Sequence, residues 1–116
     1  MTQHDDAIGL RHMLDHAREA AALVQNTTRD DLHANRVLSL ALVRLLEIVG
    51  EAATRVSEEL RARHPQIAWR QIISLRNRLI HGYDAVDLDI LWQILHADIP
   101  QLITDLERLI SPEAKT

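Results

Sequence analysis

Apolar residues recur at three- and four-residue steps along most of the chain, and this spacing predicts helices almost throughout. In a first segment, from about Asp5 or Asp6 to Gln25, one face carries Ile8, Met13 with Leu10 and Leu14, Ala17, Ala20 with Ala21, and Val24. Asn26-Thr27 breaks that run. Thr28, with Asp31 three residues on, makes a capping-box-like start in which Asp replaces the usual Glu. A long helical pattern then extends to about Arg63, where Pro65 ends it. Leu38, Leu42, Leu45, Val49, Ala52 and Val56 form the seam of a bundle helix. Ala41, Ile48 and Leu60 widen the seam, so burial on more than one side is expected. Gly50 lies inside this helix, where glycine costs roughly 1 kcal/mol relative to Ala. Its presence predicts a bend or a close backbone approach.

A shorter helix is expected from Trp69 to Ile80, stopped by Gly82. Asp87 should cap a last helix reaching Ile110, with Ile90, Leu91, Ile94, Leu95, Leu102, Leu106 and Leu109 facing inward. Pro100 falls within it and should kink or split it. Nowhere do apolar and polar residues alternate over six positions, so no strand is predicted. No linker or repeat interrupts the chain, and both ends look frayed. The expected fold is all-α: one domain over residues 1–116, an up-and-down bundle of four helices, or five if Pro100 divides the last.

Composition supports long helices. The 116 residues include 18 Leu and 14 Ala but only 3 Gly and 3 Pro. Seventeen acids against 13 Lys and Arg leave a formal charge of −4. With Trp69, Trp92 and Tyr83 as the only aromatics of their kind, neither phosphate neutralisation nor base stacking is well supplied, and any RNA chemistry must be local. Twelve of the thirteen cations are Arg, the better fork for phosphate. The absence of Cys removes disulfides, thiolate zinc sites and Cys nucleophiles. No stretch is long and apolar enough to span a bilayer or to resemble a signal peptide, which makes a cytoplasmic location the simplest expectation. Glycine-rich phosphate loops, Gly-x-Ser-x-Gly elbows and dinucleotide fingerprints are missing too, so no cofactor is expected, and any ATP-dependent step must belong to another protein.

Chemistry concentrates in Ser74-Leu75-Arg76-Asn77-Arg78-Leu79-Ile80-His81-Gly82-Tyr83-Asp84. Arg76 and His81 are five apart, about 140° around a regular helix, but a helix ending near Gly82 lets His81 leave the spiral toward the same cleft. Asn77, four residues before His81, could orient its imidazole. Such a set suits RNA cleavage by the strand's own 2′-hydroxyl. A His titrating near neutrality moves the proton, an Arg braces the charge growing on phosphorus, and no metal is required. One His per chain leaves either the acid or the base unfilled, which a homodimer sharing one cleft would resolve.

Each residue also has a plainer reading. Arg76 and Arg78 could be solvated helix charges, Asn77 a helix-end hydrogen bonder, His81 a C-terminal cap and Tyr83 an ordinary half-buried aromatic. His12 and His16, four apart, could hold a metal between them with Asp5 or Asp6 joining, but two His on one helix are insufficient without a third ligand, and the plainer reading is an exposed His pair. Glu47 and Glu51 read as a polar stripe or part of a dimer contact, and Trp69 and Trp92 as packing anchors.

The spacing Arg-x4-His-x-Tyr, formed by Arg76, His81 and Tyr83, resembles the signature of HepT-type toxins in the HEPN superfamily. The likeness extends over roughly the whole chain, through Glu47-Ile48-Val49-Gly50-Glu51-Ala52-Ala53, Arg63-His64-Pro65-Gln66-Ile67-Ala68-Trp69, Asp87-Leu88-Asp89-Ile90-Leu91-Trp92 and Pro100. It implies a dimeric helical bundle and a metal-independent endoribonuclease with Arg76 and His81 catalytic and Asn77 and Arg78 supporting. It also implies a cognate minimal nucleotidyltransferase antitoxin of the MntA type, as in type VII toxin–antitoxin systems, which silences the toxin by AMP transfer to Tyr83. RNA is the expected substrate, with no DNA or membrane partner. Two alternatives remain: a non-cleaving HEPN module that scaffolds a nucleotidyltransferase or binds nucleotide, and a purely structural dimerisation domain.

Overall fold

Local chemistry sets the helix ends in the computed structural model, which describes residues 3–81 and 85–110, leaving aside the side chains of Gln3, His4 and His81. Helix α1 (Gln3–Leu23) is followed by Asn26 in the left-handed region at φ 62°, a conformation Asn tolerates well. Thr28 then opens α2 (Arg29–Ala34) with a complete capping box: its Oγ1 accepts from the Asp31 N–H at 3.0 Å, and its own N–H donates to Asp31 Oδ2 at 2.9 Å. Asp fills the role of Glu here because its shorter arm still reaches back to the Thr28 amide.

The long helical pattern from Thr28 to Arg63 is divided. Asn35 has an extended backbone and caps α3 (Arg36–Thr54) by accepting from the Leu38 N–H at 3.0 Å. After α3, Ser57 caps α4 (Glu58–Arg63) through its Oγ. The break at Ser57 is pinned from afar: buried Asp6 accepts from the Ser57 N–H at 2.7 Å and from its hydroxyl at 2.8 Å. Side-chain amides and hydroxyls that satisfy the first orphan N–H groups thus override periodicity at both points.

Helix α3 is the centre of the molecule and packs on α1, α2, α5 and α6. Leu42, Leu45, Val49, Ala52 and Val56 are buried as expected, but the seam widens through Val43, Leu46 and Ala53, while Ala41 stays exposed. On α1 the contact runs through Leu10, Met13, Leu14, Ala17 and Ala20, with Ile8 turned outward at 42% exposure. Gly50 marks the close approach anticipated for it. A Cβ there would lie 2.9 Å from the Ile72 carbonyl oxygen, so α3 and the backbone of α5 (Trp69–Ile73) touch with no side chain between them.

Two expectations about the second half are corrected. The helix predicted from Trp69 to Ile80 is interrupted at Ser74, whose hydroxyl donates to the Arg70 carbonyl at 2.6 Å while its backbone N–H donates to the same oxygen at 3.1 Å. It resumes as α6 (Leu75–Leu79) and ends before Gly82, which lies outside the described residues. The absence of strands is also overturned on a small scale. Ile80–His81 (β1) pairs antiparallel with Ala85–Val86 (β2), Ile80 opposite Val86, and the Asp87 N–H closes onto the Leu79 carbonyl at 2.9 Å. Two residues per strand are too short for any alternation to register in sequence.

Asp87 then caps α7 (Leu88–Gln93), accepting from the Ile90 N–H at 3.0 Å. Pro100 does not break the last helical stretch. A turn of wider π-helix at Ile94–Asp98 leads into α8 (Ile99–Ile110), so the chain accommodates the missing proline N–H by shifting hydrogen-bond register before it. Leu91, Ile94, Leu95, Ile99, Leu102 and Leu106 join the core. The architecture is all-α, and among the described residues no helix is long and apolar enough to cross a membrane.

Candidate active site

Helix α6 presents three consecutive polar side chains, and its position against α3 sorts them. Buried Leu75 and Leu79 anchor the helix in the core, which turns Arg76 and Asn77 outward and leaves Arg78 half-buried. Residues two apart on a helix point to nearly opposite sides. Arg76 therefore faces an open groove of about 500 Å³ between α3 and α5–α6, which Asn77 also lines, with Gly50 and Ile73 at its base. Arg78 faces a different groove, of about 570 Å³, where its Nη1 donates to Asp98 of the π-helical turn at 3.1 Å. Arg76 and Asn77 are brought together; Arg78 is not with them.

Arg76 is held from behind. Its Nε donates to Glu47 Oε2 at 3.0 Å, and Glu47 is largely buried, with 19% of its side chain exposed against 70% for Arg76. Arg44 continues the network, 3.8 Å from Glu47 and 3.0 Å from Glu51 through Nη1. Charges thus alternate in the order Glu51, Arg44, Glu47, Arg76 along one wall. With both arginines well exposed, such pairs contribute only ~0–1 kcal/mol to stability. Their larger effect is orientation: a guanidinium engaged at Nε keeps its two terminal amino groups directed into the open groove.

Glu47 and Arg44 were not identified as site residues from sequence, where Glu47 and Glu51 read as a polar stripe. The signal that could have found them was a carboxylate one turn before Gly50 on the helix buried most deeply.

His81 stands two residues beyond the end of α6. Its backbone is in β1 opposite Ala85, so it has left the helical spiral sooner than the Gly82 stop implied, and the four-residue helical relation to Asn77 lapses at Leu79. Its side chain, together with Tyr83, lies outside the described residues.

The remaining candidates have local roles. His16 Nδ1 lies 2.7 Å from the His12 carbonyl oxygen, and the two rings meet edge to face. Trp69 is buried, with its indole N–H donating to the His64 carbonyl at 3.0 Å, while Trp92 stacks on His96 at a centroid distance of 3.8 Å.

The amino-acid sequence is similar to known proteins over nearly the full chain. The sequence model described as ribonuclease HepT-like matches residues 13–109. This chain belongs to the HepT-like ribonuclease family. Among relatives of the HepT-like chain, one named as a probable ribonuclease HepT, from Thermococcus cleftensis, is 35% identical over 100 residues, covering 83% of this chain and 91% of the relative. A protein named as a candidate RNase from Caldanaerobacter subterraneus subsp. tengcongensis is 32% identical over 104 residues, covering 90% and 93%. Another, from Methanocaldococcus jannaschii, is 29% identical over 107 residues, covering 92% and 98%. No solved structure matches this HepT-like chain.

Proposed function

We propose that this chain is the toxin of a two-component toxin–antitoxin system, acting as a homodimeric, metal-independent endoribonuclease in the cytoplasm. The RNA 2′-oxygen attacks the adjacent phosphorus, its proton passes to a base, and the 5′-oxygen leaves with a proton from an acid. The products are a 2′,3′-cyclic phosphate and a 5′-hydroxyl. His81 supplies proton transfer, with the second His contributed by the partner subunit, and Arg76 stabilises the extra negative charge on the phosphoryl oxygens. Because the nucleophile belongs to the substrate, no metal-bound water is needed.

The observation that carries this assignment is Arg76: an exposed guanidinium, fixed at Nε by Glu47, opening onto a groove five residues before His81. Dimerisation is supported by the outward face of α3. Val37 and Leu40 are 78% and 47% exposed, and they lie two turns and one turn before Arg44 on the same face as the groove's charged wall. A second copy covering this face would bring two Arg76 grooves near one another.

Control of the toxin is assigned to a cognate nucleotidyltransferase of the MntA type. The Tyr83 phenolic oxygen attacks the α-phosphorus of ATP held by that enzyme, and pyrophosphate leaves. The resulting nucleotide, attached two residues from His81, adds negative charge where the RNA phosphate must enter.

The test is RNA cleavage by purified protein in EDTA with analysis of the ends. Wild type should yield 2′,3′-cyclic phosphate termini, and His81→Ala and Arg76→Ala should each lose at least ~100-fold in rate. Tyr83→Phe should cleave but resist silencing by the antitoxin with ATP. Intact RNA with wild type and variants alike, alongside a stable nucleotidyltransferase complex, would instead mark a non-cleaving scaffold.

A further inference from the structure

Charge is unevenly distributed along this chain. Residues 55–78 hold six arginines and two glutamates, a formal +4, although the whole protein is formally −4. The remaining residues hold seven cations against fifteen acids. The basic stretch comprises α4, α5 and most of α6, the helix that carries Arg76.

Partnering separates the arginines further. Arg11, Arg18, Arg29 and Arg44 each meet a carboxylate, as do Arg76 and Arg78. Arg55, Arg61, Arg63 and Arg70, and Arg108 near the end of α8, have no carboxylate partner among the described residues. Arg61 donates through Nε to the Val56 carbonyl at 3.1 Å, which steadies its stem and leaves its terminal amino groups for a ligand. An unpaired guanidinium on an otherwise acidic protein attracts anions without having to surrender an existing ion pair.

Arg61 and Arg70 line one groove of about 490 Å³, with Trp69 and Ile73 as its apolar floor and Glu58 as the carboxylate facing them. Ile73 also lines the Arg76 groove, so the two grooves adjoin at that side chain. A strand extending from the Arg76 groove across Ile73 would come to Arg61 and Arg70.

We propose that this second groove is an RNA subsite holding nucleotides that flank the scissile bond, with Arg61 and Arg70 on phosphate oxygens and the apolar floor against a ribose or base face. Unpaired RNA fits this chemistry, because a duplex would keep its base faces from the floor. The subsite rests on the ribonuclease assignment above and adds to it where substrate length is sensed.

The experiment uses the full chain in two assays. In the first, cleavage-silent His81→Ala protein binds a fluorescently labelled single-stranded 12-mer RNA, with and without Arg70→Ala. Adding Arg70→Ala should weaken binding roughly tenfold and reduce the log–log salt slope by about 0.7, the signature of one lost phosphate contact to a single strand. In the second, Arg70→Ala alone should lower kcat/KM for the 12-mer by a similar factor while leaving cleavage of a dinucleotide within about twofold of wild type. Arg70→Lys should recover part of the 12-mer loss, since a point charge remains. Unchanged affinity and salt slope on Arg70→Ala would overturn the subsite, as would equal losses on the 12-mer and the dinucleotide. Intact RNA binding with loss of nucleotidyltransferase association would overturn it in favour of a protein-docking face. If wild type cleaves nothing, the ribonuclease assignment fails separately, and the binding assay still decides the groove.

Discussion

Arg76 Nε donates to Glu47 Oε2 at 3.0 Å across the contact between α6 and α3, joining residues 29 apart in the chain. The bond ties the charge proposed to meet the scissile phosphate to the most deeply buried helix. Because Arg76 is 70% exposed, the pair adds little to folding and much to direction. Glu47→Ala should therefore leave the thermal midpoint nearly unchanged while lowering kcat/KM on a dinucleotide by about tenfold. Glu47→Gln retains an oxygen that accepts from Nε and should recover most of that loss. Equal losses for both variants, measured by steady-state kinetics beside thermal melts, would rule out an orienting role.

Gly50 governs how closely α5 approaches α3. A methyl group at that position would lie 2.9 Å from the Ile72 carbonyl oxygen, and backbone cannot swing aside as a flexible side chain does. Gly50→Ala should destabilise the protein by about 1–3 kcal/mol in urea titration, despite the higher helix propensity of Ala. It should also lower cleavage, since α6 continues from α5 and carries Arg76. A stabilised variant would show that the helices can separate at no cost.

Asp6 is buried and accepts two hydrogen bonds from Ser57, through the backbone amide and the hydroxyl. Asp6→Ala leaves that amide without its partner at the α3–α4 corner, and the expected cost is about 1–3 kcal/mol. Chemical denaturation of the variant checks this; loss of α4 protection in hydrogen exchange should accompany it, because Ser57 also caps α4.

Val37 is 78% exposed on the face assigned to the second subunit. Val37→Glu should shift the protein from dimer to monomer in sedimentation and reduce RNA cleavage with it, while the helical circular dichroism stays constant. A dimer that persists in Val37→Glu would place the interface on another face.

Much of the local architecture could be read directly. Asn26 stops α1, the Thr28–Asp31 box starts α2 and Asp87 caps α7, each where its residue types predict. Asn35 and Ser57 carried the same chemistry but were submerged in a continuous apolar period, so two helix boundaries went unmarked. Ser74 was hidden similarly, because a hydroxyl that bonds back to a carbonyl four residues earlier leaves no trace in hydrophobic spacing.

The site divides along the same line. By itself, the chain's sequence determined its all-α class, the caps at Thr28 and Asp87 and the grouping of Arg76, Asn77, Arg78 and His81 in one short segment. Those features depend on residues within about four positions of one another, where spacing is geometry. Tertiary structure alone decided that Arg76 faces Glu47 while Arg78 faces Asp98, and that the Arg61–Arg70 groove adjoins the Arg76 groove at Ile73. These pairings span 20 to 29 residues. They follow from the angle at which α6 settles on α3, set by buried Leu75, Leu79 and the bare backbone at Gly50, and no local pattern encodes that angle.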